Sequence, residues 1–406
     1  MSAVPHGERA RGVLDGVRVL DLGRFIAAPY CGMLLADMGA DVIRVEPPRG
    51  GEDRHIGLRG PHGENFTYTS LARNKRAITL DVSRAEGRDL LRTLVSRTDV
   101  FLHNYSPEAV AAFRLTYDDV RAMQPPIIYT GISCYGADGP DAHRTGFDPI
   151  AQVGSGAAAL TGWEHDPPLR CGVPWVDYAT GLCAALGTML ALRHRDATGE
   201  GQAVDCALLQ TAVSCTAPMV AEAVVAGRER PRLGNRAAYL GPADLYRCVD
   251  GYVYVAPVTR AAWRALTGLV GRPDLASAED LATDEQRFEH RARVDPIVAH
   301  WMASRTTGAA VRDLEAARIP CGVCRKPAEV ADDPQVQARR MLEYVDLDAP
   351  GVRRVPVGGI PVRLSKTPGR IVRRPPRIGE HNDEVYVGWL GLDRRDLAAL
   401  ATDGVV

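Results

Sequence analysis

The chain has 406 residues, 46% of them hydrophobic and 24% charged, with a formal net charge of −1. That length allows two or three domains with ample core, the composition excludes a disordered chain, and the neutral balance excludes the basic excess of a nucleic-acid binder. No run reaches the ~20 uninterrupted apolar residues of a bilayer span and the first residues hold no secretory apolar segment, so the expectation is a cytoplasmic protein with no membrane partner. The nine cysteines then read as reduced, mostly buried small hydrophobes.

In chain order, Gly16–Leu22 (GVRVLDL) reads as a buried strand, Pro29–Met38 as a helix and Asp41–Glu46 (DVIRVE) as a second strand. This is a βαβ unit of a mostly parallel sheet. The turn after the first strand, GRFIAAP, keeps only Gly23 of a GxGxxG dinucleotide pattern, although Glu46 stands where a ribose-binding acid is found, so a nicotinamide oxidoreductase is a weak alternative. Arg73, Asn74, Lys75 and Arg76 cluster before the strand Ala77–Leu80. Each alone suits a solvated loop end; together they have the donors to meet phosphates. Strand and helix alternate on through Arg84–Arg97, Val100–Leu102 and Ile127–Ile132, a doubly wound pattern. Its loops Arg24–Ala28, Asn104–Ser106 and Ser133–Gly136 follow strand ends and are expected to converge on a ligand.

The stretch Gly146 to Gly181 carries Asp177 between an apolar run, CGVPWV, and a small-residue run, YATGLCAALG, that suits a tightly packed helix. Asp177 is expected at or just before a helix start, at a strand-to-helix junction, where it serves at least as an N-cap. Gly154-Ser155-Gly156 upstream offers a gap through which another group can approach it. From about Met219 the character changes: turn signals surround the alternating strand Tyr252–Val255, and Arg260–Val270 and Ala309–Ala317 read as helices of a smaller α+β domain. Cys321 and Cys324 have the spacing of a redox or zinc half-site, but Pro320 precedes them, Pro327 follows, and no further pair of ligands is evident, so the structural reading is favoured and no metal is expected. From Gly351 the chain is rich in Pro, Gly and Arg and reads as extended segments returning to the first domain. The expected divisions are 1–218, a large α/β domain; 219–340, a small α+β domain; and 341–406, the returning segment.

GFDPIAQVGSGAAALTG, PPLRCGVPWVDYATGL and ATGEGQAVDCALLQTAV together resemble the central motifs of the family III CoA-transferases of the CaiB/BaiF type, a family that also holds the α-methylacyl-CoA racemases. The resemblance extends through LDGVRVLDLGRFIAAPYCGMLLADMGADVIRVEPP, RNKRAITLD and PPRIGEHNDEVYVGWLGL, which is nearly the whole chain. It implies a Rossmann-like large domain, an interlocked homodimer, coenzyme A and acyl-CoA as substrates rather than resident cofactors, and a nucleophilic aspartate at Asp177 that carries first an acyl group and then CoA. It further implies contacts to CoA from Ile26, Ala27, Arg73, Asn74, Lys75, Arg76, Asn104, Tyr105, Ser133 and Tyr135. A family cation after the second strand is replaced by Pro47, with Arg49 as the candidate substitute.

Within the family the rival is an α-carbon racemase, which needs an acid/base group on each face of the reacting carbon. The racemases resembled here supply a histidine where this chain has Phe147, leaving only His143 or Asp148 as replacements, and Asp148 reads as a hydrogen-bonding residue. A non-catalytic acyl-CoA-binding protein is a further alternative, opposed by the presence of Asp177. Gly234–Gly241 lacks the glycine-rich loop of the formyl-CoA:oxalate enzymes, which makes oxalate a poor candidate acceptor, and a succinyl-CoA-like donor is the first to try. Trp163, Arg170, Trp175, Arg236 and Tyr239 are readable as acyl-pocket residues, though packing or surface roles fit each of them better.

Overall fold

The computed structural model describes residues 12–60, 63, 65–349 and 352–406. Its first half is a run of strand–helix pairs: β1 (Arg18–Asp21), α1 (Ala27–Asp37), β2 (Asp41–Glu46), α2 (Phe66–Ala72), β3 (Arg76–Thr79), α3 (Ala85–Val95), β4 (Val100–His103), α4 (Pro107–Ala112), α5 (Tyr117–Met123) and β5 (Ile128–Ser133). Then come α6 (Asp148–Gly154), α7 (Trp175–Thr198), β6 (Ala203–Ala207) and α8 (Leu208–Ala226).

The six strands form one sheet in the order β3-β2-β1-β4-β5-β6, with every neighbouring pair parallel. β1 to β5 are short apolar runs buried on both faces, as a parallel sheet covered by two helical layers requires. One layer holds α1 and α7, whose small side chains (Ala27, Ala28, Ala184, Ala191) allow close approach; a Cβ on Gly181 would stand 2.7 Å from the Ala27 carbonyl oxygen. The other layer holds Leu91, Leu94, Val120 and, from the far C-terminus, Tyr386, Leu397 and Val405. Both α7 and α8 are long and apolar enough to span a bilayer by length and composition, but α7 spends its small-residue face on α1 and the sheet.

Contacts cluster the chain into two units, residues 12–155, 171–216 and 335–406 in the larger and 156–170 and 217–334 in the smaller. The smaller unit has an antiparallel sheet of β7 (Asp244–Arg247), β8 (Tyr252–Val255) and β9 (Cys321–Val323). Around it lie α9 (Arg260–Leu269), α10 (Asp284–Glu289), α11 (Arg291–Ala303), α12 (Thr307–Ala316) and α13 (Pro327–Val330), with Trp263, Leu266, Val298 and Met302 in its core. Cys321 and Cys324 are both free thiols, one on the sheet-edge strand β9 and the other just beyond it.

The larger unit resumes with α14 (Pro334–Ala338), whose last residues belong to it, and a hairpin of β10 (Leu342–Ala349) and β11 (Val352–Gly358). The extended segment that follows is tied down by Asn74: its Oδ1 accepts from the backbone N–H groups of Val372 and Arg373, and its Nδ2 donates to the Arg370 carbonyl. The chain ends with α15 (Arg394–Thr402), and Asp81 N–H donates to the Val405 carbonyl.

Two local expectations need correction. CGVPWV is not a strand: Pro174 has no N–H for a sheet ladder, and its φ of −76° leads directly into α7. The helix expected at Tyr178 therefore begins at Trp175.

Candidate active site

In an open α/β sheet the ligand crevice forms where the strand order reverses, here between β1 and β4. The loops leaving these strands are clasped together: Arg24 N–H donates to Asn104 Oδ1 at 2.8 Å, and Asn104 Nδ2 returns a bond to the Arg24 carbonyl at 2.7 Å. Phe25, in the first of these loops, holds a left-handed φ of 66°, strain that surrounding structure must impose on a non-glycine residue. Beyond it α1 begins at Ala27 with no side-chain cap on its first turn.

A cavity of about 260 Å³ opens at this crevice, and every residue lining it belongs to the larger unit. Its walls include Arg24, Phe25, Ile26 and Ala27 after β1, Asn104 and Tyr105 after β4, and Ser133 and Cys134 at the end of β5. Arg144, Phe147 and Asp177 complete it.

Asp177 is the carboxylate in this wall. It is the third residue of α7, not the N-cap, and the cap is supplied from a distance: Oδ2 of Asp148, on α6, accepts from the N–H groups of Val176 (2.8 Å) and Asp177 (3.2 Å). Gln152 locks Asp148 in place, donating from Nε2 to Asp148 Oδ1 at 2.6 Å and accepting at Oε1 from Cys171 N–H. The buried Asp148 thus occupies the helix-end donors that would otherwise hold the Asp177 carboxylate in its charged form. No described residue makes a hydrogen bond or ion pair to the Asp177 carboxylate, and burial, with the nearby Asp148 charge second, pushes its pKa up to about 7. The expectation that Asp177 serves as the N-cap of its helix is therefore corrected: Asp148 supplies the cap.

Of the residues expected to contact CoA, the structure brings Ile26, Ala27, Asn104, Tyr105 and Ser133 to this cavity with Asp177. Tyr135 stands just behind, its ring 5.2 Å from the Arg144 guanidinium. Arg73, Asn74, Lys75 and Arg76 are not brought there. They are 2%, 7%, 1% and 7% exposed, and carboxylates already occupy them. Arg73 and Asn74 bond to Asp37, Lys75 to Asp21 at 2.7 Å, and Arg76 to Asp41 and Glu384. Arg49 is exposed and outside the cavity wall, and Glu46 binds Arg54 and Gly51 N–H rather than facing a ribose. Gly154 closes α6 and Gly156 turns with φ 84°, but neither lines the cavity.

The cations in the wall are two that sequence reasoning passed over. Arg24 lies over the rings of Tyr105 and Phe25, its buried Nε unpaired and its nearest acid, Glu52, at 3.9 Å. Arg144 is half-exposed, paired with Asp141. The available signal for Arg24 was its place in the first βα loop. Phe147 packs edge-on against Phe25 with centroids 5.5 Å apart, whereas His143 is exposed and outside the wall.

Among the other candidates, Trp175 opens α7 and Trp163 lies over Gly234 in the smaller unit. There Arg236 faces Asp244 and Asp295, and Tyr239 packs on Phe288. No group of three or more His, Cys, Asp or Glu residues suited to a metal ion occurs among the described residues.

The family model for CoA-transferase family III matches residues 14–382. The chain is 33% identical over 395 residues to a succinyl-CoA–D-citramalate CoA-transferase of Chloroflexus aurantiacus, covering 97% of this chain and 98% of that one. It is 33% identical over 410 residues to a formyl-CoA:oxalate CoA-transferase of Streptomyces avermitilis, covering 97% and 99%. It is also 32% identical to the human succinyl-CoA:glutarate CoA-transferase, covering 97% and 90%. Among solved structures, a CaiB/BaiF family protein of Brucella suis superposes with a TM-score of 0.82 at 30% identity, covering 93% of this chain and 99% of that one. The parallel sheet, its switch-point cavity and these full-length likenesses agree: the chain belongs to CoA-transferase family III and is an enzyme of CoA transfer.

Proposed function

We propose that the chain moves CoA from an acyl-CoA thioester to a carboxylic acid by covalent catalysis on Asp177. The observation that carries this reading is a half-buried carboxylate with no bonding partner among the described residues, set in the wall of the switch-point cavity with two arginines. A carboxylate free of hydrogen bonds and poorly solvated is a stronger nucleophile than one in water.

An Asp177 oxygen attacks the thioester carbonyl carbon; the C–S bond breaks and CoA leaves as a thiolate, giving an acyl–aspartyl anhydride. The thiolate attacks the Asp177 carbonyl carbon, releasing the donor acid as its carboxylate and leaving an aspartyl–CoA thioester. The acceptor carboxylate repeats the two steps in reverse, so that Asp177 is regenerated and no net proton is consumed. Each tetrahedral intermediate places negative charge on an oxygen beside the uncapped first turn of α1, whose N–H groups and dipole favour it. Arg24 and Arg144 supply the positive charge that a ligand rich in phosphates requires.

Phe147 opposes racemisation, because a ring without a titratable proton stands in the wall where a second proton carrier would be needed. Relatives named for succinyl-CoA make it the first donor to test, with four- and five-carbon dicarboxylic acids as acceptors. Native chain and Asp177→Ala are mixed with succinyl-CoA and hydroxylamine, which converts an activated aspartyl group to a hydroxamate. A mass gain on the Asp177 peptide of the native chain alone supports the proposal. No adduct with any acyl-CoA, together with α-deuterium uptake into a 2-methylacyl-CoA, would replace it with racemisation.

The proposal includes a homodimer. Leu182, Leu186 and Leu190, spaced four residues apart on α7, are 44%, 62% and 62% exposed and form an apolar stripe of the kind subunit interfaces cover. Sedimentation equilibrium is expected to give twice the chain mass of 43.8 kDa, and a monomer at micromolar concentration would refute this part.

A further inference from the structure

A second cavity, also of about 260 Å³, shares Tyr105, Pro107, Ile132 and Ser133 with the Asp177 cavity but has a different character. Its wall is made largely of Tyr117, Tyr129, Val110 and Ala203, and it contains His103 from the end of β4. The tyrosine hydroxyls are already committed, Tyr129 donating to the Leu115 carbonyl and Tyr117 to the Gly201 carbonyl. What these residues can offer a ligand is therefore ring surface.

His103 is the exception. The residue is 5% exposed, its Nδ1 accepts from Tyr105 N–H at 3.3 Å, and its Nε2 is buried without a partner. With Nδ1 accepting, the neutral ring carries its proton on Nε2. Burial holds the imidazole neutral, its pKa pushed down to about 4. The space beside Nε2 is kept open by Gly131, where a Cβ would approach to 3.2 Å. An orphaned buried donor costs a fold about 1–3 kcal/mol.

We propose that this cavity binds a small neutral molecule, a planar apolar ring bearing one hydrogen-bond acceptor, with the acceptor taking the Nε2–H of His103. The size fits one or two rings: an engineered cavity of about 150 Å³ holds benzene. The rings of His103, Tyr105 and Tyr129 offer faces and edges with centroids 4.9 to 6.3 Å apart, the spacing of aromatic packing. The charge pattern excludes the carboxylic acids of CoA transfer, because the wall holds no cation and does hold Asp205. The site is thus separate in chemistry from the one that accepts the acid, although Tyr105 and Ser133 face both, and it stands whether or not Asp177 is the nucleophile.

The test uses three probes of one shape: acetophenone, which has a carbonyl acceptor; ethylbenzene, which has none; and benzoate, which is charged. Affinities for the full native chain are measured by saturation-transfer NMR. Acetophenone is expected to bind at least ten-fold more tightly than ethylbenzene, with benzoate not binding. His103→Phe, which keeps a ring but removes the donor, is expected to make acetophenone and ethylbenzene equal. Ala203→Trp, which places a large ring on the cavity side of β6, opposite Tyr129, is expected to remove both. Failure of every probe to bind the native chain overturns the proposal. So does acetophenone affinity unchanged in His103→Phe, or a crystal structure in which a partner subunit or a tightly held water occupies Nε2 and acetophenone does not displace it.

Discussion

Asp177→Asn is expected to abolish CoA transfer and, at the same time, to make the protein more stable. Amide nitrogen and oxygen cannot form the anhydride, so turnover should fall by about 10⁴-fold or more, the scale at which removal of a nucleophile leaves only binding and electrostatic contributions. The gain in stability follows from the same carboxylate. Its pKa rises from 3.8 in the unfolded chain to about 7 in the fold, so the native state binds this proton more tightly. That contribution favours the fold below about pH 4 and is lost as pH rises to about 7; above that the native state carries an ionised, poorly solvated carboxylate beside Asp148. Asparagine removes the charge, and the advantage at pH 8 should be about 2–4 kcal/mol. Thermal melts from pH 5 to pH 8 would show it as a difference in Tm that widens with pH. A difference that is constant with pH, or a variant less stable at pH 8, would mean that Asp177 titrates as an ordinary carboxylate and that the cavity does not destabilise its charge.

Such a site is a place where local rules are broken, and this governs how much could be read in advance. The sheet was legible because its strands are apolar runs separated by helical periodicity, and Asp177 because it stands alone between CGVPWV and YATG. The Arg73–Arg76 cluster was legible as charge but not as function. A cation looks the same in sequence whether it meets phosphate or carboxylate, and its partners Asp21, Asp37, Asp41 and Glu384 lie tens to hundreds of residues away. Once buried, these pairs hold β1, α1, β2 and the C-terminal segment to one another, and removing one partner would strand a charge in the core. Arg24 was missed for the opposite reason: a single arginine in a turn carries no pattern, and its cation–π contact with Tyr105 exists only because β1 and β4 are neighbours. The capping of α7 by Asp148 was likewise invisible, because the cap stands 28 residues before the helix N–H it bonds.

Exchanging the members of the Asp148–Gln152 pair should move the acid limb of catalysis without dismantling the site. With Asp177 titrating near pH 7, kcat/KM for thioester cleavage by the native enzyme should rise through that pH as the nucleophile ionises. Burial and the Asp148 charge both hold the value up. The other groups sharing its surroundings are Cys134 at the end of β5 and Tyr178 on α7, which do not ionise in this range, and Arg24 and Arg144 in the same cavity wall. Asp148→Asn alone would set its amide N–H group against that of Gln152, at a cost of about 1–3 kcal/mol for donors left unpaired. Adding Gln152→Glu repairs this. The introduced asparagine can still accept from Val176 and Asp177 N–H, and its amide can donate to the introduced glutamate, which can still accept from Cys171 N–H. The bonds from Val176, Asp177 and Cys171 N–H, the link between the two side chains and the net charge are retained, only the 3.5 Å bond from Gln152 Nε2 to the Val173 carbonyl is lost, and the negative charge sits one link further from Asp177. The double variant should therefore melt close to the native protein, while the midpoint of its acid limb falls by about one pH unit. An unchanged midpoint in a stable double variant would assign the raised pKa of Asp177 to burial alone and reduce Asp148 to a helix cap. A lowered midpoint would make the pair the element that withholds the helix-end donors and sets the basicity of the nucleophile.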